Sequence, residues 1–272
     1  KLRITGGEPL LRPGLPALVR ELAAISGLED IALTTNGVML PRLAGDLADA
    51  GLTRITVSLD TLDEEVLAVM SGGRANLADI LAGIEAAVAA GFKQIKINTV
   101  VQRGVNDHTI LDLLDHFRGT PHRVRLIEYM DVGNINHWRE SDTVSSAELR
   151  ERIAERWPLR AVPSNYDGEV AMRYEYEDGA GEVGFISSVT EPFCGSCHRA
   201  RLSSDGQLFT CLFAAAGTNL REPMRDGASD EELAGIIHKV WTRRADRYSE
   251  QRAELIKNGR EIQKMEMYYI GG

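Results

Sequence analysis

Five short strand-like segments alternate with helical segments over the first 130 residues. The strand patterns cover 2–5, 30–36, 54–60, 94–101 and 123–130, and helical patterns cover 13–24, 41–50, 77–90 and 107–118. Gly51 and Gly91 follow two of the helical patterns, where a helix commonly ends in a left-handed residue. This alternation is typical of βα units on a parallel sheet, wound either as a barrel or in the doubly wound order.

The strand patterns alternate apolar and polar residues, although parallel strands buried on both faces are usually apolar throughout. The polar positions are Arg3, Thr34, Ser58, Asp60, Lys96 and Arg125. Several buried cations without matching carboxylates would be costly. The pattern therefore predicts a solvated cavity that binds an anion. An antiparallel sheet with one wet face would give the same alternation, but the intervening helices favour parallel crossovers.

Each cation on that polar face could instead be half of a salt bridge, with Glu128 as a candidate partner. Gly6-Gly7-Glu8-Pro9 ends the first strand pattern, at the sheet edge where α/β folds bind their ligands. Glycines there let the backbone approach a ligand closely. The Gly-rich patterns of dinucleotide folds and P-loops are absent from the sequence.

All three cysteines lie in one stretch with the spacing C-x2-C-x13-C, as Cys194, Cys197 and Cys211. The residues at 204–207 predict a hairpin turn that returns Cys211 to the first pair. Three thiolates suit an iron–sulfur cluster with one open iron, or a zinc site completed by a fourth ligand such as His198. Arg199 and Arg201, two apart, would share one face of a strand beside the metal. This arrangement predicts an anionic ligand.

The net charge of -9 argues against broad binding of nucleic acid, which needs a basic face. No apolar run reaches the roughly 20 residues that span a bilayer. Three cysteines do not make a secreted disulfide framework, so a reducing cytoplasm is expected. The sequence opens at Lys1 within a strand pattern, and we expect further residues upstream.

The second half of the chain has a different pattern. Residues 145–157 predict a helix with Ser146 as its N-cap, and 160–190 predict short antiparallel strands. Residues 230–243 predict an amphipathic helix. The highly charged segment 244–264 is expected to be exposed, and the last residues, taken alone, could be disordered.

Several of these motifs together resemble the GTP 3′,8-cyclase family, the radical S-adenosylmethionine (SAM) enzymes that begin molybdenum cofactor biosynthesis. They are T-G-G-E-P at 5–9, T-T-N-G at 34–37, V-S-L-D at 57–60, I-E-Y-M-D-V-G at 127–133, the cysteine stretch and Y-I-G-G at 269–272. The resemblance implies an α/β fold: a partial TIM-type (β/α) barrel over 1–133 that lacks its first strand. Residues 134–272 would form a C-terminal α+β extension with an auxiliary cluster.

The resemblance also implies roles for individual residues. The positions that match SAM contacts are Gly6, Gly7, Glu8, Ser58 and Met130. Those that match GTP contacts are Lys1, Arg3, Thr34, Lys96, Arg125, Arg199, Ala200 and Arg201. The ligands of an auxiliary [4Fe-4S] cluster would be Cys194, Cys197 and Cys211, and the catalytic tail would be Gly271 and Gly272.

One part of the family pattern is absent. A C-x3-C-x2-C motif holds the cluster that cleaves SAM in that family, and these 272 residues contain none. A second [4Fe-4S] cluster is therefore expected only on an upstream segment, without which this chain should not turn over. The family also implies passage of the product to a downstream enzyme that forms cyclic pyranopterin, and it allows a homodimer. Two other functions stay open: a zinc-ribbon binding module on an α/β domain, and a peptide-modifying radical SAM enzyme.

Overall fold

The computed structural model describes residues 1–166, 168–257 and 264–271. The chain divides into two compact units. Unit 1 comprises Lys1–Tyr129 and Glu140–Thr190, and unit 2 comprises Met130–Arg139 and Glu191–Gly272. Residues 140–190 thus pack with the first half of the chain. The division into domains at residue 133 stays a prediction.

Unit 1 is built on an eight-stranded sheet with the order β1-β2-β3-β4-β5-β8-β7-β6. Its strands are β1 Leu2–Ile4, β2 Ile31–Thr35, β3 Arg54–Ser58, β4 Lys96–Val101, β5 Arg123–Glu128, β6 Leu159–Val162, β7 Met172–Tyr176 and β8 Glu182–Ile186. The pairs from β1 to β5 are all parallel, which rules out the antiparallel alternative for them. Strands β1 to β5 follow one another in chain order, without the reversal of strand order of a doubly wound sheet. The partial barrel itself stays a prediction.

Strands β6 to β8 form the antiparallel pairs expected for 160–190. The sequence pattern did not indicate that β8 would also pair in parallel with β5. These three strands therefore extend the sheet of the first half. The physical reason is that β5 offers an unpaired edge whose backbone groups need partners.

The helices of unit 1 cover the apolar face of the sheet. They are α1 Leu15–Ala23, α2 Leu40–Asp49, α3 Glu64–Ser71, α4 Leu77–Ala89, α5 Ile110–Phe117 and α6 Ser146–Arg156. Apolar residues of β2, β3 and β4, such as Leu33, Val57 and Ile97, are fully buried in one core. Burying each such side chain contributes about 1.5–3 kcal/mol.

Two details of unit 1 differ from the sequence expectation. Helix α3 was not predicted; it is short, begins at an Asp63 cap, and leaves Val69 72% exposed, so it has no clear apolar period. The N-cap of α6 is Ser145, and the prediction of Ser146 is wrong. The Ser146 amide instead donates to the buried carboxylate of Glu128, 2.8 Å away.

A close approach fixes the loop after β2. A Cβ at Gly83 would lie 2.1 Å from the carbonyl oxygen of Gly37, so only glycine lets α4 pack directly on that loop. Gly37 itself has a φ of +86°, which favours glycine. The T-T-N-G motif is thereby held at the carboxyl end of β2.

The described residues of unit 2 include a small antiparallel sheet and four α-helices. These are β9 Arg201–Leu202, β10 Gln207–Phe209, β11 Thr218–Asn219, α7 Arg221–Arg225, α8 Asp230–Thr242, α9 Tyr248–Lys257 and α10 Met267–Ile270. The predicted helix at 230–243 is confirmed as α8, which begins in a Ser229–Glu232 capping box. In the part of the chain that the structure describes, no helix is both long and apolar enough to cross a membrane.

Candidate functional site

The register of the sheet gathers the polar residues of unit 1 on one face. Directly paired residues of neighbouring strands share a face, as do residues two apart on one strand. The pairs Arg3↔Ala32↔Arg54, Thr56↔Lys96↔Arg123 and Asn98↔Arg125↔Gly184↔Arg173 therefore lie on the same side. We call this side the cation face. Its six cations are Arg3, Arg54, Lys96, Arg123, Arg125 and Arg173.

Among the described residues, three carboxylates pair with or lie near the cations of this face. Asp30 pairs with Arg54, and Glu182 accepts hydrogen bonds of 2.8 Å from both Arg123 and Arg173. The nearest carboxylate oxygen of Glu169 lies 3.9 Å from Arg125, and the Glu169 side chain is only 3% exposed. Arg125 thus has a partial salt bridge, as the alternative interpretation allowed.

The candidate partner Glu128 is not involved in that salt bridge. It is 1% exposed, and its oxygens accept hydrogen bonds from the amides of Ser146, Val189 and Thr190. Glu128 therefore holds the segment after β8 and contributes nothing to the cation face.

Lys96 carries the charge that is least compensated. Its ammonium makes no hydrogen bond or ion pair with any residue in 1–166, 168–257 or 264–271. Burial, followed by the charges of Arg125 and other guanidinium groups, lowers the pKa of Lys96 to about 7. Burial likewise lowers the pKa of Arg125 to about 10. An anion would relieve this repulsion.

Other predicted nucleotide residues adjoin the cation face. The Arg3 guanidinium donates to the Thr34 hydroxyl at 2.7 Å, which brings two of them together. The ammonium of Lys1 lies 3.7 Å from the ring centroid of Tyr166, a cation–π contact. The structure thus places Lys1, Arg3, Thr34, Lys96 and Arg125 within one unit.

Asn98 was not singled out from the sequence, although it lies on the same polar side of β4 as Lys96. Its side-chain oxygen is buried and has no hydrogen-bond partner among the described residues. A buried acceptor without a donor costs about 1–3 kcal/mol. Ser58, a predicted SAM residue, pairs with Asn98 in the register and is exposed. The side chains of Ser58 and Asn98 are thus available to donate hydrogen bonds to a bound ligand or to accept them from it.

The G-G-E-P turn ends β1 and is fixed by its own glutamate. The Glu8 carboxylate accepts hydrogen bonds from the Leu10 amide at 2.9 Å, the Thr35 hydroxyl at 2.7 Å and the Asn36 amide at 2.8 Å. Its oxygens thus join the carboxyl ends of β1 and β2. Gly6, with a φ of +143°, and Gly7 leave their backbone open to a ligand, because a Cβ at either would meet no atom within 4 Å.

The predicted hairpin at the cysteines is confirmed in unit 2. Strands β9 and β10 are antiparallel, and the turn between them closes with a 3.0 Å bond from the Gly206 amide to the Ser203 carbonyl. Gly206 has a φ of +84°. A Cβ there would also lie 2.7 Å from the Arg221 side chain, so glycine is required twice over.

The three cysteines are free and partly buried. Arg199 donates to the Cys197 sulfur at 3.2 Å. Burial raises the pKa of Cys197, but hydrogen bonds from Arg244 and Arg199 outweigh it and lower the pKa to about 7. The pKa of Cys211 is raised, chiefly by burial and further by the charges of Asp246 and Cys194.

The described side chains of the cysteine stretch are not arranged around a single metal ion. In the described ranges, no group of three or more His, Cys, Asp or Glu side chains, with His198 counted, could hold one metal ion. Two thiolates on one tetrahedral zinc lie only about 3.8 Å apart, given Zn–S bonds of about 2.3 Å. A cluster binds each thiolate to a different iron and so needs a wider spacing. The donor set of three thiols, one of them readily ionised, fits such a cluster.

The tail and Arg201 meet beside the hairpin. Arg201 donates from Nε to the Gly271 carbonyl at 3.1 Å, and burial lowers the pKa of Arg201 to about 10. Gly271 is buried, so the structure contradicts a disordered tail over the described residues 264–271. Gly272 lies outside the described residues. Ala200 is exposed between the two arginines.

Met130 belongs to unit 2 through its carbonyl, which accepts from the Asn136 side chain at 2.9 Å. The neighbouring Asp131 is paired with Arg252 at 2.7 Å and with Lys264. Arg252 is 4% exposed, so the expectation that all of 244–264 is exposed is wrong. The cause is that Asp131 compensates two cations; burial raises its pKa, but those cations and a Tyr248 hydrogen bond hold the pKa below the usual value.

Comparison with protein families divides the chain between two of them. The radical SAM superfamily matches residues 1–117, and Molybdenum Cofactor Synthesis C matches residues 122–250. Curated relatives named GTP 3′,8-cyclase are similar over the whole chain. The relative from Xanthomonas campestris pv. campestris is 55% identical over 272 residues, which are 100% of this chain and 79% of that protein. The relative from Acidothermus cellulolyticus is 47% identical and is covered to 81%.

Solved structures give weaker similarity. A domain of pyruvate-formate lyase-activating enzyme from Bacteroides vulgatus has a TM-score of 0.41 at 19% identity, covering 56% of this chain and 89% of its own. A radical SAM methyltransferase from Sphaerobacter thermophilus has a TM-score of 0.37 at 19% identity, covering 46% and 36%. These scores are too low to support an argument.

Proposed function

The chain belongs to the GTP 3′,8-cyclase family, and from this premise we propose that it binds GTP and SAM for a radical cyclisation. The reaction converts GTP to (8S)-3′,8-cyclo-7,8-dihydroguanosine 5′-triphosphate, in the synthesis of molybdopterin. This is lyase chemistry in which the cofactors perform the demanding step and the protein binds, orients and shelters the reactants.

The observation that carries the proposal is the charge imbalance of the cation face. Among the described residues, three carboxylates pair with or lie near these six cations, and the Lys96 ammonium makes no hydrogen bond or ion pair with any described residue. A triphosphate carries several negative charges and would neutralise these cations without any proton transfer. Arginine forks also fix its orientation through paired hydrogen bonds, which a lysine does less well.

The proposed cofactor residues follow the family pattern. The open backbone of Gly6 and Gly7, together with Ser58 and Met130, would hold SAM, while Glu8 keeps their turn rigid through its own hydrogen bonds. Asn98 would give its buried, unpartnered oxygen to a hydroxyl or amino group of a bound ligand. Cys194, Cys197 and Cys211 would hold an auxiliary [4Fe-4S] cluster, whose open iron can bind a nitrogen or oxygen of the substrate.

At the substrate, this chain's side chains orient and neutralise. From the family pattern, the residues proposed to bind GTP are Lys1, Arg3, Thr34, Lys96, Arg125, Arg199, Ala200 and Arg201. Gly271 and Gly272 are the proposed catalytic tail. Because only three cysteines are present, ligands for a SAM-cleaving cluster must come from outside these 272 residues, and the chain alone should not turn over.

The wider organisation follows from the same family. We propose a partial (β/α) barrel over 1–133 and an extension over 134–272 that carries the cluster. A homodimer and a downstream enzyme that forms cyclic pyranopterin are the proposed partners. Of the alternative functions, a peptide-modifying radical enzyme is disfavoured by the cation face, which suits a nucleotide better than a neutral peptide.

Metal analysis separates the cyclase from a zinc-ribbon module. After anaerobic reconstitution of the chain, we expect iron and sulfide to be bound at the cysteine hairpin. Zinc without iron or sulfide would contradict the proposed enzyme.

A GTP titration tests the substrate. Arg201→Ala should weaken GTP binding more than about tenfold, some 1.4 kcal/mol, because a charged fork is lost. Arg243, an exposed arginine of the same unit, provides the control as Arg243→Ala. If the Arg201 variant keeps its cluster and binds GTP as tightly as the control, the proposed substrate site is wrong.

A further inference from the structure

The tail segment 264–271 lies along the cysteine hairpin and contacts both of its ends. At the turn, the Tyr269 hydroxyl donates to the Asp205 carboxylate. At the base, the Gly271 carbonyl accepts from Arg201. The short helix α10 connects the two contacts. Ile270, between them, is only 2% exposed.

Two further contacts align the tail. The Tyr269 ring packs edge-on against Phe209 of β10, with centroids 6.3 Å apart. The Met265 amide donates to the Ala214 carbonyl at 3.0 Å, three residues after Cys211. Phe209 of β10 pairs directly with Arg201 of β9. The Tyr269 ring therefore packs on the strand next to the one that carries the arginine. Each end of the tail is therefore fixed relative to the hairpin.

The bond to Gly271 uses only one nitrogen of Arg201. Among the described residues, Nε has this single partner, and the two terminal nitrogens have none. A guanidinium is planar, so fixing Nε fixes the direction in which its fork points. The Gly271 carbonyl thus orients the fork toward a ligand without competing for it.

We propose that Tyr269 is a positioning residue for substrate binding. Its bond to Asp205 holds α10 on the hairpin, and α10 in turn holds the Gly271 carbonyl against Arg201. This inference rests on the proposed function, because the ligand of the Arg201 fork is taken to be the anionic nucleotide. Tyr269 itself does not need to touch that ligand.

The test compares two adjacent tyrosines. Tyr269→Phe removes the hydroxyl that reaches Asp205, while Tyr268→Phe removes one from a ring that is 63% exposed. With the cluster reconstituted, we expect Tyr269→Phe to weaken GTP binding about threefold to tenfold, as one hydrogen bond to a charged group allows. Tyr268→Phe should bind GTP like the parent chain. Iron content in each variant checks that the hairpin is intact.

A double-mutant cycle separates positioning from general loosening. If Tyr269 acts through Arg201, then Tyr269→Phe should have no further effect in an Arg201→Ala background. Additive losses would overturn the inference, because they would mean that the tyrosine supports the site by another route. Equal GTP affinity of Tyr269→Phe and Tyr268→Phe would also overturn it.

A measurement without nucleotide distinguishes the role of Tyr269 in holding the tail from the proposed binding of GTP. Hydrogen exchange of the peptide 264–271 should become faster in Tyr269→Phe and stay unchanged in Tyr268→Phe. If exchange is unchanged in both variants, the hydrogen bond between Tyr269 and Asp205 does not hold the tail, and the inference is wrong. If exchange responds but the parent chain binds no GTP, the proposed function fails, and the role of Tyr269 toward a nucleotide fails with it.

Discussion

The cation face of unit 1 and the cysteine hairpin of unit 2 both concentrate positive charge, but they position it differently. On the cation face the spacing comes from sheet register, and carboxylates such as Glu182 neutralise part of the charge. At the hairpin the arginines contact a thiol and a backbone carbonyl. The first arrangement is thus partly compensated by carboxylates of the same unit. The second depends on contacts from a short tail and, as proposed, on a bound cluster.

The largest expected effect is at the hairpin. Cys211→Ser should remove nearly all iron bound after anaerobic reconstitution, because a three-thiolate cluster loses one of its ligands. Unfolding of unit 1 in urea should be unchanged. Ser204→Ala, in the exposed hairpin turn, serves as the control. Retention of the parent chain's iron by the serine variant would mean that the cysteines do not act together.

Glu182 tests how far the cation face depends on its own carboxylates. Glu182→Gln leaves Arg123 and Arg173 without a shared anion in a largely buried place, and should lower the free energy of unfolding by about 3 kcal/mol. Glu148→Gln breaks an exposed pair with Arg103 and should cost at most about 1 kcal/mol. Urea unfolding of both variants measures the difference. Equal costs would contradict the compensation of Arg123 and Arg173 by Glu182.

A pH series tests the uncompensated charge of Lys96. Its pKa is about 7 in the folded chain and near the ordinary 10.5 when unfolded. Between these values the unfolded chain binds more protons at this group, so the Lys96 contribution to stability is lost as pH falls toward 7 and grows as pH rises. Lys96→Met should therefore flatten the rise in unfolding free energy between pH 7 and 9.

Lys93 supplies the control for that series. It is exposed and lies three residues before Lys96. Lys93→Met should keep the pH dependence of the parent chain. If the Lys96 variant also keeps it, the ammonium of Lys96 is compensated in solution.

The smallest expected effect concerns Glu169. Its carboxylate lies near Arg125, where the proposed triphosphate would also bring negative charge. Glu169→Gln should strengthen GTP binding about threefold, since the arginine no longer has an internal anion. Glu175→Gln, which removes the partner of the exposed Arg160, should not change it. Weaker GTP binding by the Glu169 variant would instead mean that Glu169 supports the site.

The local pattern of the sequence determined much of this protein. The alternation of strand and helix segments predicted the parallel units, and the alternation of apolar and polar residues along the strands predicted a polar face with Arg3, Lys96 and Arg125. The cysteine spacing and the turn residues predicted the hairpin, and the combined motifs indicated the family that whole-chain identity confirms. These features are predictable because period and turn chemistry act over a few residues.

Only the tertiary structure decided the partners. Glu182 meets Arg123 from 59 residues away, Gly271 meets Arg201 from 70, and Arg252 meets Asp131 from 121. Charge and composition alone predicted that residues 244–264 are exposed. No period in a sequence specifies which distant carboxylate compensates a buried cation, because that choice depends on how the elements pack. The same limit left the Tyr269 bond to Asp205 for the structure to reveal.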